Sequence, residues 1–437
     1  MQNMTAVPGP LDFAAARRAR VSEGMFAPPV LEALAVGIAV LAVVFNPLLA
    51  IVNGHLHTLS SGIVALAQAA LTFGALGVGA IQRGKPTRWI VMAWALLVCF
   101  IGTSIMRDGL AIKDFGDALL IPAFIAVGQR IRLPVLIRVV IGLQVAITVV
   151  GVLELLFPSL YGAVFKVTDY YVSTRGYDKS AFWAGNDLFL SSERPGGRLL
   201  LPGFNLHRGS SLFLEPVSLG NWAVVIAIFL GGFWHSLSWR TRALLAGCNL
   251  VLLVVCDGRL ALGVCMVLAV YLPLAARRLP SALSILYLPA VLLLLAGLVA
   301  AGFLKTVGDT LPGRLRGGYD ALIGLDLPDF MGVGHQMLNA DAGWVYFIQT
   351  QSVLVALAVW AVITLTDIGE GEDARVYKHG LALFLALCLP ISYSVLSIKT
   401  MSVLWCGYGA LFARRALAEA PAGARRRDRA APALAPA

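Results

Sequence analysis

Leu31-Glu-Ala-Leu-Ala-Val-Gly-Ile-Ala-Val-Leu-Ala-Val-Val-Phe-Asn-Pro-Leu-Leu-Ala-Ile-Val52 carries one carboxylate and no basic side chain. About 20 apolar residues in a helix rising 1.5 Å each span the roughly 30 Å hydrocarbon core of a bilayer. Arg17, Arg18 and Arg20 precede the run as in the basic region of a signal peptide. The run is too long for one and lacks a small-residue cleavage site, so it reads as a retained first helix.

The rest of the chain repeats the pattern. Of 437 residues, 59% are hydrophobic and 13% charged, with a mean hydropathy of +0.81. That apolar content exceeds what a soluble core of this length needs. The sequence predicts an all-α, polytopic integral membrane protein with about 12 transmembrane helices and two large periplasmic loops. The expected spans are 31–52, 62–81, 89–106, 115–129, 134–157, 216–234, 241–256, 260–276, 281–303, 343–366, 380–394 and 400–413. A cytoplasmic segment over 1–30, large loops over 158–215 and 304–342, and a disordered cytoplasmic tail over 414–437 complete the expected layout.

Charge placement orients it. Both termini are expected in the cytoplasm, where 21 of the 34 Lys and Arg residues then fall, while the short outer segments hold only Arg107, Lys113, Arg259 and Lys399. The net charge of +10 is thereby explained without nucleic acid. The six cysteines lie in apolar runs with no C-x-x-C pair or neighbouring His cluster, so no metal site is expected.

Two hairpins are short. Ala243 to Ala276 is interrupted by Asp257-Gly258-Arg259, and Gly380 to Ala413 near Ser397 and Lys399. Arms of about 14 to 16 residues reach only about 21 to 24 Å, so Arg259 and Lys399 are expected below the outer membrane surface. A charge at that depth calls for a partner or a wet cavity, although snorkelling, or pairing of Arg259 with Asp257, is the plainer reading.

Familiar soluble chemistry is missing. Gly79-Ala-Ile-Gln-Arg-Gly84-Lys85-Pro86 approaches a phosphate loop, but Pro86 stands where the magnesium-binding hydroxyl belongs and the segment leaves a membrane helix. No serine-hydrolase, zinc-protease or dinucleotide motif sits where its mechanism needs it. The first outer loop, Asn53 to Ser61, has no Asp or Glu, which argues against glycosyltransferases using polyprenyl monophosphate donors.

The candidate site lies on the two large loops. The first supplies Lys166, Arg175, Lys179, Arg194, Arg198 and Arg208 together with Tyr161, Tyr170, Tyr171, Tyr177, Phe182 and Trp183. Guanidinium forks suit phosphate, and aromatic faces suit sugar rings or lipid headgroups. The early part of this loop is expected to be a mobile aromatic surface. Glu215, before Pro216 at a helix start, reads either as a cap or as a general base. The second loop adds Arg314, Arg316, His335 and Asp341, with His335 most simply a loop histidine bonded to backbone.

Three stretches carry a family resemblance: Arg208-Gly-Ser-Ser-Leu-Phe-Leu-Glu-Pro-Val-Ser-Leu-Gly220, Asp257-Gly-Arg259-Leu-Ala-Leu, and Gly332-Val-Gly334 followed by Asp341-Ala-Gly-Trp-Val-Tyr346. In their order and common side they resemble bacterial polysaccharide polymerases of the Wzy type and the related O-antigen ligases, closest to exopolysaccharide polymerases of the xanthan kind. The resemblance implies a cofactor-free, metal-independent glycosyltransferase of the cell inner membrane. Its donor would be an undecaprenyl-diphosphate-linked oligosaccharide, with chain-length regulator and export proteins as further partners. Arg208 and Arg259 are its candidates for the diphosphate clamp, helped by Arg314 or Arg316. Glu215 or Asp341 is its candidate base, and Arg194, Arg198, His335 and Lys399 are secondary. The ligases tend to carry a His-Asn pair where this chain has Asp341-Ala-Gly-Trp, a departure that favours polymerase. A lipid-linked glycan transporter is the competing class, disfavoured because Asn46, Gln68 and Gln144 are the chief mid-span polar residues noted.

Overall fold

The computed structural model describes residues 28–81, 88–107, 109, 112–182, 187–193, 197–204, 206–308, 310–334, 342–369 and 371–419. Every element among them is helical. Five helices come first: α1 (Pro28–His55), α2 (Ser61–Ala80), α3 (Arg88–Arg107), α4 (Ile112–Gly128) and α5 (Leu133–Leu156). Two short ones, α6 (Pro158–Phe165) and α7 (Val167–Arg175), follow in the first large loop. Next come α8 (Pro216–Gly232), α9 (Trp239–Cys256), α10 (Arg259–Tyr271, prolonged by a π turn) and α11 (Tyr287–Ala300). The second loop holds α12 (Leu311–Ile323) and α13 (Leu327–Phe330). The chain then runs through α14 (Gly343–Gln351), α15 (Val353–Leu365), α16 (Glu372–Cys388) and α17 (Ile398–Glu419).

A helix stands at each of the twelve expected places, but they are not twelve equal spans. Among the described residues, seven helices are long and apolar enough to cross a membrane, or eight if α14 and α15 count as one broken span. The expected single span 343–366 bends by 114° between them. Ser352 makes the break: its φ of 96° lies in a region costly for a side chain, and its hydroxyl accepts the Val355 amide to start α15.

Contacts sort the turns onto two ends. At one end, Glu32 pairs with Arg132, the Arg130 guanidinium donates to Gly79 O, Arg88 lies over Phe412, and Glu372 meets both Arg277 and His235. The large loops, the Asp257 turn and the start of α17 gather at the other. Alternation of this kind is what an up-and-down helix bundle requires.

The centre is built from α4, α8, α16 and α17, whose residues are buried almost throughout. Close approach of α4 and α17 depends on glycine: a Cβ at Gly128 would collide with the Cys406 backbone, and one at Gly409 with Ile125 O. The periphery is apolar. Leu66, Ile105 and Leu293 are 69%, 75% and 73% exposed, an outward apolar face suited to lipid and costly in water.

The first large loop departs from the expected mobile aromatic surface. Tyr161, Phe165, Tyr170, Tyr171, Phe182 and Phe189 form a second apolar cluster with Ala50 and Leu214, rooting the loop on α1. Polar ties hold it there: Tyr170 donates to Asn46 Oδ1 (3.1 Å), Ser173 to Asn53 Oδ1 (2.9 Å) and Tyr161 to Ser211 O (2.6 Å). Of the expected surface aromatics, Tyr177 is the exposed one among the described residues, and Trp183 lies outside them.

Candidate functional site

The stretch 206–214 is drawn down into the bundle. Glu154, near the end of α5 and fully buried, accepts the Ser210 amide (2.7 Å) and the Ser211 amide (2.6 Å), while its other oxygen lies 3.8 Å from His207 Nε2. Two backbone donors on one carboxylate fix the turn, since leaving either unpaired in the interior costs about 1–3 kcal/mol. The Gly209 amide donates to Val255 O (2.9 Å), seating the turn against the end of α9.

That helix end is where three predicted site residues go. Arg208, 7% exposed, donates from Nε to Cys256 O (2.9 Å) and from Nη1 to Ser191 O (3.0 Å). Arg198 donates to Val254 O, His207 O and Leu200 O. Cationic side chains on the last carbonyls complement the negative end of a helix. Asp257 then leaves α9 in a left-handed conformation (φ 43°) and accepts the amides of Leu199 and Leu200, tying the loop to the turn that precedes Arg259. So Arg208 and Arg198 act as scaffolding for the Asp257-Gly258-Arg259 turn. Arg259 itself, the first residue of α10, is exposed, with no hydrogen bond or ion pair among the described residues. The expected pairing of Arg259 with Asp257 does not form.

Glu215 lies one turn further on. Leu214 turns left-handed (φ 60°), Glu215 is extended, and Pro216 opens α8. The Glu215 carboxylate does not cap the first-turn amides. Its Oε2 accepts from Ser218 Oγ (2.7 Å) and from Lys399 Nζ (2.6 Å), and Lys399 also donates to Phe213 O (3.2 Å). Lys399 is 3% exposed, at the start of α17, so it neither snorkels nor pairs locally. Burial acts to raise the Glu215 pKa, but Lys399 and Arg175 beside it win and hold the carboxyl well below its ordinary range. A carboxylate so held is a hydrogen-bond acceptor and a weak base.

Arg175, at the end of α7, is the outer member of this centre. Its guanidinium stands 5.8 Å over the Tyr171 ring, and the Glu215 charge outweighs desolvation to raise its pKa. The Tyr171 hydroxyl lies fully buried beside Glu215; burial and then Glu215 push its pKa well up, so it stays protonated. On the far side, Tyr393 packs against Tyr346 with ring centroids 5.0 Å apart. The Tyr346 hydroxyl donates to Asp117 Oδ2 (2.8 Å), and Gln68 donates to Asp117 Oδ1 (3.0 Å). Asn221 reaches Ser394 Oγ (2.8 Å) across the same space. Groups from the first loop, α4, α8, α14 and α17 therefore converge at one end of the bundle.

The remaining predicted residues separate. Arg316 is engaged by Asp320 on its own helix (2.8 Å) and by Leu304 O (3.1 Å), with Arg314 on the same half-buried α12. Arg194, His335 and Asp341 lie outside the described residues. Two groups central to the geometry escaped the sequence reading, Glu154 and Asp117. Both left a signal, since they are carboxylates inside apolar runs, where a charge demands a partner.

Taken together, described residues whose elements are all helical, with seven or eight helices long and apolar enough to cross a membrane, apolar outer faces and ionic groups gathered at one end, fit a polytopic membrane protein. Set against family models, curated proteins and solved structures, the chain matches none.

Proposed function

We propose that this protein is a polysaccharide polymerase. It joins undecaprenyl-diphosphate-linked oligosaccharide repeat units at the periplasmic face of a bacterial inner membrane, with twelve spans and both termini in the cytoplasm. One observation carries the reading: the stretch 208–220 and the turn 257–259 meet, through Arg208 on Cys256 O, at the same end as the Glu215–Lys399–Arg175 centre.

The chemistry asked of this end is glycosyl transfer. An acceptor hydroxyl oxygen bonds to the anomeric carbon of the donor as the bond to the diphosphate oxygen breaks; the lipid diphosphate departs with its electron pair, and the hydroxyl proton passes to water. Negative charge grows on the leaving group, where preorganised guanidinium groups stabilise it. We assign that contact to Arg259, exposed at the start of α10, with Arg314 as helper. Arg208, its donors on backbone carbonyls, positions the turn that carries Arg259. Glycans on lipid carriers in a deletion strain test the reading. Single repeat units accumulating on the outer leaflet are expected; long polymer, or single units trapped on the inner leaflet, defeats it.

A lipid-linked glycan transporter is the second reading, favoured by one specific observation: Asp117, 7% exposed, and the Lys399–Glu215 pair put ionisable groups inside the bundle. Translocation of lipid-linked glycan that survives loss of Arg259 and Glu215 supports that class instead.

A further inference from the structure

Glu215 has more to offer than its ion pair takes. Ser218 and Lys399 both bind Oε2, and the side chain remains 18% exposed, which leaves Oε1 as its remaining acceptor. An ionised carboxylate accepts on both oxygens and donates on neither, so what meets Oε1 must bring a hydrogen. Beside it stand Arg175, an exposed residue at the end of α7 already engaged by Glu215 and Tyr393, and the buried Tyr171 hydroxyl. Tyr177, 39% exposed, stacks on Tyr171 with ring centroids 6.0 Å apart and an interplanar angle of 20°. A fixed acceptor, a forked donor and an aromatic rim are complementary to a ring with adjacent hydroxyls and an apolar face.

We infer that Glu215, Arg175 and Tyr177 form a sugar-binding subsite, in which Glu215 Oε1 accepts a hydrogen bond from a ring hydroxyl, Arg175 donates to its neighbour, and the Tyr177 face covers the ring. The inference rests on the polymerase reading for what the ring is, the growing end of the acceptor glycan. In that setting Glu215 orients the hydroxyl and does not remove its proton. The site is distinct from the clamp assigned to Arg259, which meets the donor's diphosphate.

The test is binding of oligosaccharides, made by partial acid hydrolysis of the host's own polymer, to the detergent-purified full chain by calorimetry. Glu215→Gln and Arg175→Lys are each expected to weaken binding about tenfold, the loss of one charge-assisted hydrogen bond. Because Glu215→Gln leaves Lys399 buried without its counter-ion, the pair variant Glu215→Gln with Lys399→Met is measured beside it, and the same loss with wild-type unfolding temperature supports the subsite. Equal binding by wild type and both variants overturns it. So does inorganic pyrophosphate bound more tightly by Glu215→Gln than by wild type, which makes the centre an anion site. In turnover with lipid-linked repeats, Glu215→Gln is expected to raise the acceptor KM about tenfold with kcat little changed, whereas a general base loses 10²- to 10⁴-fold in kcat. Binding that depends on Glu215 in a chain that never elongates lipid-linked repeats upholds the subsite and removes the polymerase reading; elongation with no such dependence does the reverse.

Discussion

Arg208 and Lys399 are both cations buried at the same end of the bundle, yet the groups around them differ in kind. Around Arg208 two acceptors are main-chain carbonyls, Cys256 O and Ser191 O, and the neighbouring carboxylates Glu154 and Asp257 accept main-chain amides. Around Lys399 the acceptors are Phe213 O and a side chain, Glu215, which remains 18% exposed. Charges bound to backbone shape a loop and have little left for a ligand. Charges bound to one another, with one face accessible, are poised to exchange partners. Burial and charge alone do not separate a scaffold from a site; the identity of the partner does.

The largest effect expected from this contrast is at the ion pair. Glu215→Leu strands Lys399, and losing one partner of a buried pair costs about 3–5 kcal/mol. Lys399→Met is milder, because Glu215 retains Arg175 and some solvent. The double substitution recovers most of the loss, so a double-mutant cycle on thermal unfolding in detergent shows strong coupling. Additive costs would make the contact incidental. At the scaffold, Arg208→Ala removes donors from two carbonyls and is expected to cost about 1–3 kcal/mol, with Arg208→Lys intermediate. An Arg208→Ala protein as stable as wild type would return Arg208 to the list of ligand-binding groups.

Acid separates the two regions next. The Glu215 pKa falls from its ordinary value near 4.5 to about 2 on folding. Its contribution to stability is therefore full above pH 4.5 and is lost as pH falls from there towards 2. The unfolding temperature of wild type should drop more steeply between pH 5 and pH 3 than that of Glu215→Gln. Parallel curves would mean that Lys399 and Arg175 do not act on the carboxylate as their placement implies.

Much of this was legible in the chain. Apolar run length found a helix at each expected span, because a bilayer imposes a length that composition reports directly, but it placed α12 in a loop. It did not reveal that 343–366 breaks, since a single serine at φ 96° is invisible to a hydropathy window. The short Gly380–Ala413 hairpin singled out Lys399 as a charge in need of a partner, and depth alone did not name one. Glu215 and Lys399 are far apart in sequence and meet only through the packing of α8 against α17. The aromatic loop misled for a related reason: tyrosines suit a glycan, a headgroup belt and a small core alike, and only their mutual contacts reveal the core.

Arg259 gives the smallest change in stability and the sharpest division of roles. It is exposed, opens α10, and makes no hydrogen bond or ion pair among the described residues, so Arg259→Ala should leave thermal unfolding within about 0.5 kcal/mol of wild type. Arg208, two residues before the turn residues that Glu154 holds, supports the backbone on which Arg259 stands. If Arg259 meets the departing diphosphate, its alanine variant loses polymer with the fold intact, and Arg208→Ala loses polymer in proportion to its loss of fold. Normal polymer from a stable Arg259→Ala protein would leave this end of the bundle without its assigned clamp, and would move the search for the diphosphate contact to Arg314 on α12.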